Sequence, residues 1–192
     1  MRLRNTAARC GAVAKLLHWI GAALVLAMLG LGLVMVHASI TSGPKFEAYQ
    51  LHKSTGFLVL AVTLMRGLWR MANSPPALPN GMSPWERRLA QALHLGFYVL
   101  ILGMIASGWL MVSASPLPMP THLPLGLTVP NLTGPNALIE ARAKFTHEVL
   151  SKLVIGAVAL HVTGALKHHF IDHDGVLSRM LPFGAGIARR RI

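Results

Sequence analysis

The sequence predicts an all-α integral membrane protein, a four-helix bundle with both termini in the cytoplasm. The 192-residue chain is 53% hydrophobic and only 12% charged. A soluble domain carries roughly 25% charged residues, so this chain has too few polar groups to cover a globular surface. Four apolar runs approach the length of about 20 residues that a membrane-spanning helix needs. Lysines and arginines gather near the ends of these runs, as they do in membrane proteins.

The predicted spans cover residues 13–37, 52–71, 88–112 and 146–168, and together with their links they form one domain over residues 1–192. The second and fourth runs are shorter in strictly apolar residues, and a polar turn with a histidine extends each of them. The first run is longer than the apolar region of a signal peptide, typically about 7 to 15 residues. It is therefore interpreted as a retained span.

The basic residues predict the orientation of the bundle. Because cytoplasmic loops carry the excess of lysine and arginine, the termini and the link over residues 74–84 are placed inside. The longer, Pro-rich link over residues 113–146 is placed outside, with a short surface helix expected over residues 135–144. The 13 of 18 basic residues on the inner side are Arg2, Arg4, Arg9, Lys15, Arg66, Arg70, Arg87, Arg88, Lys167, Arg179, Arg189, Arg190 and Arg191.

Charge and cysteine content exclude two classes of protein. The net charge of +12 is compatible with nucleic-acid binding, but the charges form no stripe along an amphipathic helix, so that class is rejected. The single Cys10 excludes an internal disulfide and a cysteine-based metal framework.

Histidine is the residue type that most suggests a function. The chain has ten histidines and only six acidic residues. An unpaired polar group in hydrocarbon costs several kcal/mol, so an ionisable side chain at membrane depth is a functional candidate. Five histidines lie in the spans or at their ends: His18, His52, His94, His147 and His161.

The spacing of two histidines in the fourth span indicates a cofactor. His147 and His161 are 14 residues apart. At about 100° per residue, the two side chains project within roughly 40° of each other around the helix, and they are separated by about 21 Å along its axis. That separation suits two haems stacked across a bilayer, each bound by one histidine of this helix. Neutral imidazole is a good haem ligand, and no Cys-x-x-Cys-His motif is present. The haems are therefore expected to be non-covalent, b-type haems.

Depth in the membrane suggests the partner of each histidine. His18 lies at the inner level together with His161, and His52 lies at the outer level together with His147. The residues alone leave rivals at both levels, namely His94 inside and His37 outside. An ordinary interfacial role is predicted for the histidines in loops and beyond the span ends: His37, His122, His168, His169 and His173.

Haem propionates are anionic and need cationic partners, which the ends of the spans offer. Lys53 and Lys152 are candidates at the outer level, and Arg66 is a candidate at the inner level. Each of these residues would serve equally well as a charge that sets topology.

Several motifs resemble the bacterial cytochrome b561 family, and their order and spacing cover most of residues 12–183. They are Leu17-His18-Trp19, His52-Lys53-Ser54-x-Gly56 followed by Arg66 and Arg70, His94 with Tyr98 and Gly108, Phe145-x-His147-Glu148, His161, and a tail that runs from His168-His169 through Asp172-x-Asp174-Gly175 to Met180-Leu181-Pro182.

The resemblance implies a bundle in the bacterial inner membrane with two haems b, bound by His18 with His161 and by His52 with His147. It gives His94 a supporting role and implies quinone as a diffusible partner. Similar members oxidise superoxide and reduce ubiquinone, so a superoxide:quinone oxidoreductase is the first hypothesis. The alternative is a haem-bearing anchor subunit for a separate dehydrogenase or a periplasmic carrier. A third hypothesis, a haem-free transporter whose histidines relay protons, has no acidic partner inside the membrane.

Overall fold

The computed structural model describes residues 2–39, 41–79, 81–117 and 119–181, and four long α-helices dominate it. Helix α1 spans Ala12–His37, α2 Ser42–Ala72, α3 Pro84–Ser113 and α4 Ala137–Phe170. All four are long and apolar enough to cross a membrane. The prediction of an all-α four-helix membrane protein is therefore confirmed. Four residues used in the motif and orientation predictions lie outside the described ranges: Pro182, Arg189, Arg190 and Arg191.

The helices pack in chain order. α1 packs against α2, α2 against α3 and α3 against α4, while α1 and α4 are not a closely packed pair over the described residues. One end of the bundle, here called the terminal face, holds the start of α1 and α3 and the end of α2 and α4. The opposite end is called the loop face. His18 of α1 and His161 of α4 face each other between these two helices.

Most large apolar side chains face outward, as lipid contact requires. Leu26, Leu68, Leu95 and Val99 are each more than half exposed, while the buried core is small. Val59 and Val62 of α2 and Val154 of α4 belong to that core. An apolar surface this extensive marks a membrane-embedded protein.

Local sequence explains where the third and fourth helices begin. Ser83 caps α3 by accepting the Glu86 N–H, the Glu86 carboxylate accepts the Ser83 N–H in return, and Pro84 follows as the first helical residue. The Asn136 side chain caps α4 by accepting the N–H groups of Leu138 and Ile139.

All four helices begin before the predicted spans, α1 and α3 by a few residues at most and α2 and α4 by a larger margin. α2 begins at Ser42 and not near residue 52. The segment predicted as a surface helix over residues 135–144 is helical from Ala137, but it is the first part of α4 and not a separate helix. Residues 137–146 contain neither glycine nor proline, so nothing interrupts the helix after its cap.

The link between α3 and α4 folds over the loop face. Thr121–His122 and Thr128–Val129 form a two-stranded antiparallel hairpin in which Thr121 pairs with Val129. Two bonds hold the segment that follows: the Trp109 indole N–H donates to the Pro130 carbonyl at 2.9 Å, and the Leu132 N–H donates to Ser113 Oγ at 3.0 Å. The residue pattern did not predict this hairpin.

The segments before α1 and after α4 meet at the terminal face. Lys15 Nζ donates to the Leu181 carbonyl at 2.9 Å, and the Trp19 indole N–H donates to the Met180 carbonyl at 2.8 Å. The two ends of the described chain therefore lie on the same side of the bundle.

Candidate functional site

The five histidines of the spans are all half-buried, and the fold separates them into two groups. His18, His94 and His161 gather toward the terminal face, where their rings contact one another. His52 and His147 lie toward the loop face, where each packs against a glycine of another helix. The two levels deduced from the sequence are present in the fold.

The terminal-face group has a spacing that suits a metal ion. The ring centres of His18 and His161 are 6.2 Å apart. Two imidazoles bound on opposite sides of one metal ion, with metal–nitrogen bonds of about 2 Å, have ring centres about 6 Å apart. His94 is a third member of the group, because its ring centre lies 5.5 Å from that of His161. Phe97 lies edge-on to the same ring at 5.5 Å.

In the loop-face group, α3 holds the His147 ring in a defined orientation. His147 Nδ1 lies 3.0 Å from the Met104 carbonyl and 3.1 Å from Ser107 Oγ. A carbonyl only accepts, so Nδ1 carries the proton and donates it, which leaves Nε2 as the free ligand atom. Metal-bound histidines are typically oriented by such a bond at the other ring nitrogen.

The other loop-face histidine belongs to α2 and packs against α1. A Cβ placed on Gly32 would lie 3.5 Å from His52 Cε1, so the glycine gives the ring room. Nδ1 of His52 and Nδ1 of His18 are both buried and have no hydrogen-bond partner in the described part of the chain. A buried polar atom without a partner costs about 1–3 kcal/mol. Neither ring is therefore committed through Nδ1 to a partner within the described part of the chain.

Donors near the terminal-face group suit an anionic carboxylate. The Trp69 indole N–H and the Tyr98 hydroxyl are buried without a hydrogen-bond partner among the described residues. The Arg66 guanidinium lies 5.9 Å above the Tyr98 ring and is half-buried. These residues, together with the imidazoles, fit a haem with its iron and propionates.

The structure distinguishes the three cations that the sequence singled out. Arg66 lies among the polar groups just described. Lys53 donates to the Met119 and Pro120 carbonyls at 3.2 and 3.3 Å and so ties α2 to the hairpin, which leaves one of its three donors for another group. Lys152 is exposed on α4.

The remaining histidines do not behave alike. His37, His122 and His173 are exposed, as expected for interfacial residues. His168 instead lies within 3.0 Å of the carboxylates of Asp172 and Asp174. Sequence reasoning assigned His168 to the headgroup region and missed this cluster. The nearby acidic residues were the available signal, because acids are rare in this chain.

A membrane bundle with two groups of half-buried histidines, and with buried polar donors that lack a partner in the described chain, has the features expected of a b-type membrane cytochrome. The chain belongs to the prokaryotic cytochrome b561 family, whose sequence profile matches residues 9–183. The resemblance stated from the motifs is thereby confirmed.

Named relatives agree with this assignment. The chain is 36% identical over 181 residues to cytochrome b561 homolog 2 of Escherichia coli strain K12, which covers 94% of this chain and 95% of the relative. It is 27% identical to cytochrome b561 homolog 1 of the same organism, over 68% of this chain and 73% of the relative. A probable superoxide oxidase, CybB of Yersinia pestis, is 26% identical over 69% of this chain and 73% of its own length.

Family membership defines the general activity. The protein is a multi-pass membrane protein that binds haem b and transfers electrons, and its partners are membrane components and electron carriers such as quinones.

Proposed function

We propose that the protein binds two haems b, one between His18 and His161 and one between His52 and His147, and transfers electrons from superoxide to a membrane quinone. It would act in the bacterial inner membrane, with the terminal face in the cytoplasm. The observation that carries the proposal is the division of the buried histidines into two groups at opposite ends of one bundle.

Helix α4 sets the distance between the two sites. His147 and His161 lie on the same uninterrupted helix, Ala137–Phe170. Their 14-residue separation corresponds to about 21 Å along the axis. When bound, the haems supply one-electron redox centres at the two levels.

Packing favours His18 over His94 as the partner of His161. α3 and α4 are closely packed, whereas α1 and α4 are not a closely packed pair over the described residues. A flat macrocycle between two imidazoles needs space between the helices that carry them. The looser packing of α1 against α4 supports His18 as the partner, although the His94 ring is nearer to His161. His94 would therefore line the site without binding iron.

Other residues of the two sites would orient the histidine ligands and neutralise the haem propionates. The Met104 carbonyl accepts a hydrogen bond from His147 Nδ1–H, which would leave Nε2 free to bind iron. Arg66 and the Tyr98 hydroxyl would bind a propionate at the terminal-face site. Lys53 and Lys152 remain candidates at the loop face.

Superoxide is proposed as the electron donor for two reasons: one relative is named as a probable superoxide oxidase, and the loop face carries a net positive charge. Helix ends and links at the loop face carry five basic and three acidic residues, so this rim has a modest positive charge that attracts a small anion and speeds its encounter. The basic residues are Lys45, Lys53, Arg142, Lys144 and Lys152, and the acidic residues are Glu47, Glu140 and Glu148.

Haem content is the first test. A pyridine haemochrome spectrum of the purified protein should give two haems b per chain. His18→Ala and His147→Ala should each lower the value to one, and the residual haem should differ between the two variants in its spectrum or potential. Tyr49→Ala, at an exposed position of α2, is the control and should keep both haems. If both histidine variants lost the same haem, the ligand pairs would be wrong.

The donor needs a separate test on the oxidised protein in detergent. A superoxide source should reduce the haem, superoxide dismutase should abolish this reduction, and a soluble quinone should reoxidise the haem. If dithionite reduces the haem and superoxide does not, the superoxide assignment fails. Stable co-purification of a dehydrogenase or carrier that reduces the haem would instead establish the anchor-subunit alternative.

A further inference from the structure

A cavity at the terminal face lies between the start of α3 and the end of α4. It has a volume of about 320 Å³, and Glu86, His168, Asp172 and Asp174 line it. It is distinct from the histidine groups described above. His168 follows His161 by seven residues, which places it about 10 Å further along the chain direction of α4.

Three potential metal ligands converge at this cavity. His168 Nδ1 lies 3.0 Å from Asp172 Oδ2 and 2.7 Å from Asp174 Oδ2. The ligand atoms of the three residues all lie within 4.8 Å of one another. The side chains are largely shielded from solvent, with exposed fractions of 13% for His168, 28% for Asp172 and 15% for Asp174.

Hydrogen bonding within the cluster leaves the histidine unsatisfied. His168 Nδ1 is buried and has no hydrogen bond of acceptable geometry in the described chain, although both carboxylate oxygens are near it. The turn after α4 holds Asp174 in place, because its Oδ1 accepts the Val176 N–H at 3.0 Å. Oδ2 is the oxygen that remains directed at the imidazole.

The local charge is unbalanced. Three of the six acidic residues of this basic chain line the cavity. Lys167 forms ion pairs with Glu86 at 2.7 Å and with Asp172 at 2.8 Å. Asp174 has no lysine or arginine partner among the residues that the structure describes. Within ion-pair distance, Lys167 is thus the lysine or arginine that faces these carboxylates among the described residues, while the Arg87 guanidinium donates to the Pro79 carbonyl of the cavity lining at 3.1 Å. A bound cation would give Asp174 a partner.

We propose that His168, Asp172 and Asp174 bind a divalent transition-metal ion of the Zn²⁺ type. One imidazole and two carboxylates are a ligand set that Zn²⁺ accepts, with bonds of about 2.0–2.2 Å and a fourth position open to water. The cavity supplies that open position. Ligand atoms of a tetrahedral site are about 3.3 Å apart, so small rotations of the two carboxylates open the cluster enough to admit the ion. Mg²⁺ and Ca²⁺ prefer six or more oxygen ligands, which this cluster lacks.

The proposal is tested on the untagged, haem-loaded full chain in detergent, after treatment with a chelator and its removal. Zn²⁺ is titrated in competition with a fluorescent zinc indicator. Wild type should bind one Zn²⁺ tightly, while His168→Gln and Asp174→Asn should weaken that binding about tenfold or more. His169→Gln makes the same change one residue outside the cluster and should bind as wild type does. Zn²⁺ should also raise the melting temperature of wild type but not that of Asp174→Asn.

Haem spectra identify any variant that fails to fold. If His168→Gln does not fold, Zn²⁺ binding by Asp174→Asn, which preserves the shape of the side chain, still tests the proposal. The proposal is overturned if wild type binds no Zn²⁺ more tightly than Asp174→Asn does, since the cluster would then be a polar network that holds no metal ion. Equal binding of Mg²⁺ at the same concentration would overturn the assignment to a transition metal. Neither result affects the haem proposal, because none of these substitutions touches a proposed haem ligand.

Discussion

Replacing Gly108 with alanine should disturb the loop-face haem site through a single methyl group. A Cβ at this position would lie 3.1 Å from Cε1 and 3.3 Å from Nδ1 of His147. Contacts this short force the ring to move by a few tenths of an ångström. The ring is bound on the same side by the Met104 carbonyl, 3.0 Å from Nδ1, so any movement lengthens or bends that hydrogen bond.

The size of the effect follows from that bond. A hydrogen bond of this kind contributes about 0.5–1.5 kcal/mol, and losing a bond that orients a metal-bound histidine typically costs about 10–100-fold in affinity. About a tenfold loss of haem affinity is expected at the loop-face site alone. The terminal-face site, about 21 Å away along α4, should keep its haem.

Gly96→Ala is the matched control, because the same change is made on the same helix where nothing lies within 4 Å of the added Cβ. It should keep both haems and stabilise α3 by about 0.5–1 kcal/mol, the helix-propensity gain of alanine over glycine. The assay is the rate at which each protein loses haem to excess apomyoglobin, together with haem stoichiometry. If Gly108→Ala lost haem no faster than Gly96→Ala, the contact between Gly108 and His147 would have no role in haem binding.

Three further substitutions or treatments test other parts of the structure. Arg66→Gln should weaken haem retention at the terminal-face site because a propionate partner is removed. Arg70→Gln, one turn further along α2 at an exposed position, should not weaken it. Equal effects of the two substitutions would contradict the role of Arg66. Ser83→Ala should cost about 1 kcal/mol in an SDS unfolding titration because the α3 cap is lost, and an unchanged midpoint would show that the cap contributes nothing. Burial raises the pKa of the Cys10 thiol above its ordinary value, so less thiolate is present at pH 8 and maleimide should label native protein more slowly than unfolded protein; equal rates would refute this.

Much of the fold could be predicted from the order of residues. Apolar runs and clusters of basic residues indicate four helices because the bilayer demands satisfied backbone groups and apolar side chains over a fixed thickness. The helix limits were less predictable. α2 and α4 extend well beyond the apolar runs. The Asn136 side chain caps the start of α4, whereas Thr41 makes no side-chain cap hydrogen bond at the start of α2, so hydropathy indicated neither limit.

The candidate haem site was only partly predictable. The 14-residue spacing of His147 and His161 could be read from the sequence, because helical periodicity relates two residues of one helix. The sequence could not decide whether His18 or His94 is the partner of His161, because both lie at the same depth. It depends on which helices pack closely: over the described residues α3 packs closely against α4, and α1 does so less. The ligand assignment itself stays a prediction until the haem content of the variants is measured.

The sequence by itself therefore determined the class of protein, the number of helices, the family and the level of each histidine, since these follow from composition and from distances along single helices. Only the tertiary structure decided which side chains from different helices meet. It placed the Met104 carbonyl and Gly108 against His147, and it brought Glu86 of α3 to the cavity beside His168 of α4. Such contacts join residues far apart in the chain, where packing and not periodicity determines the distance.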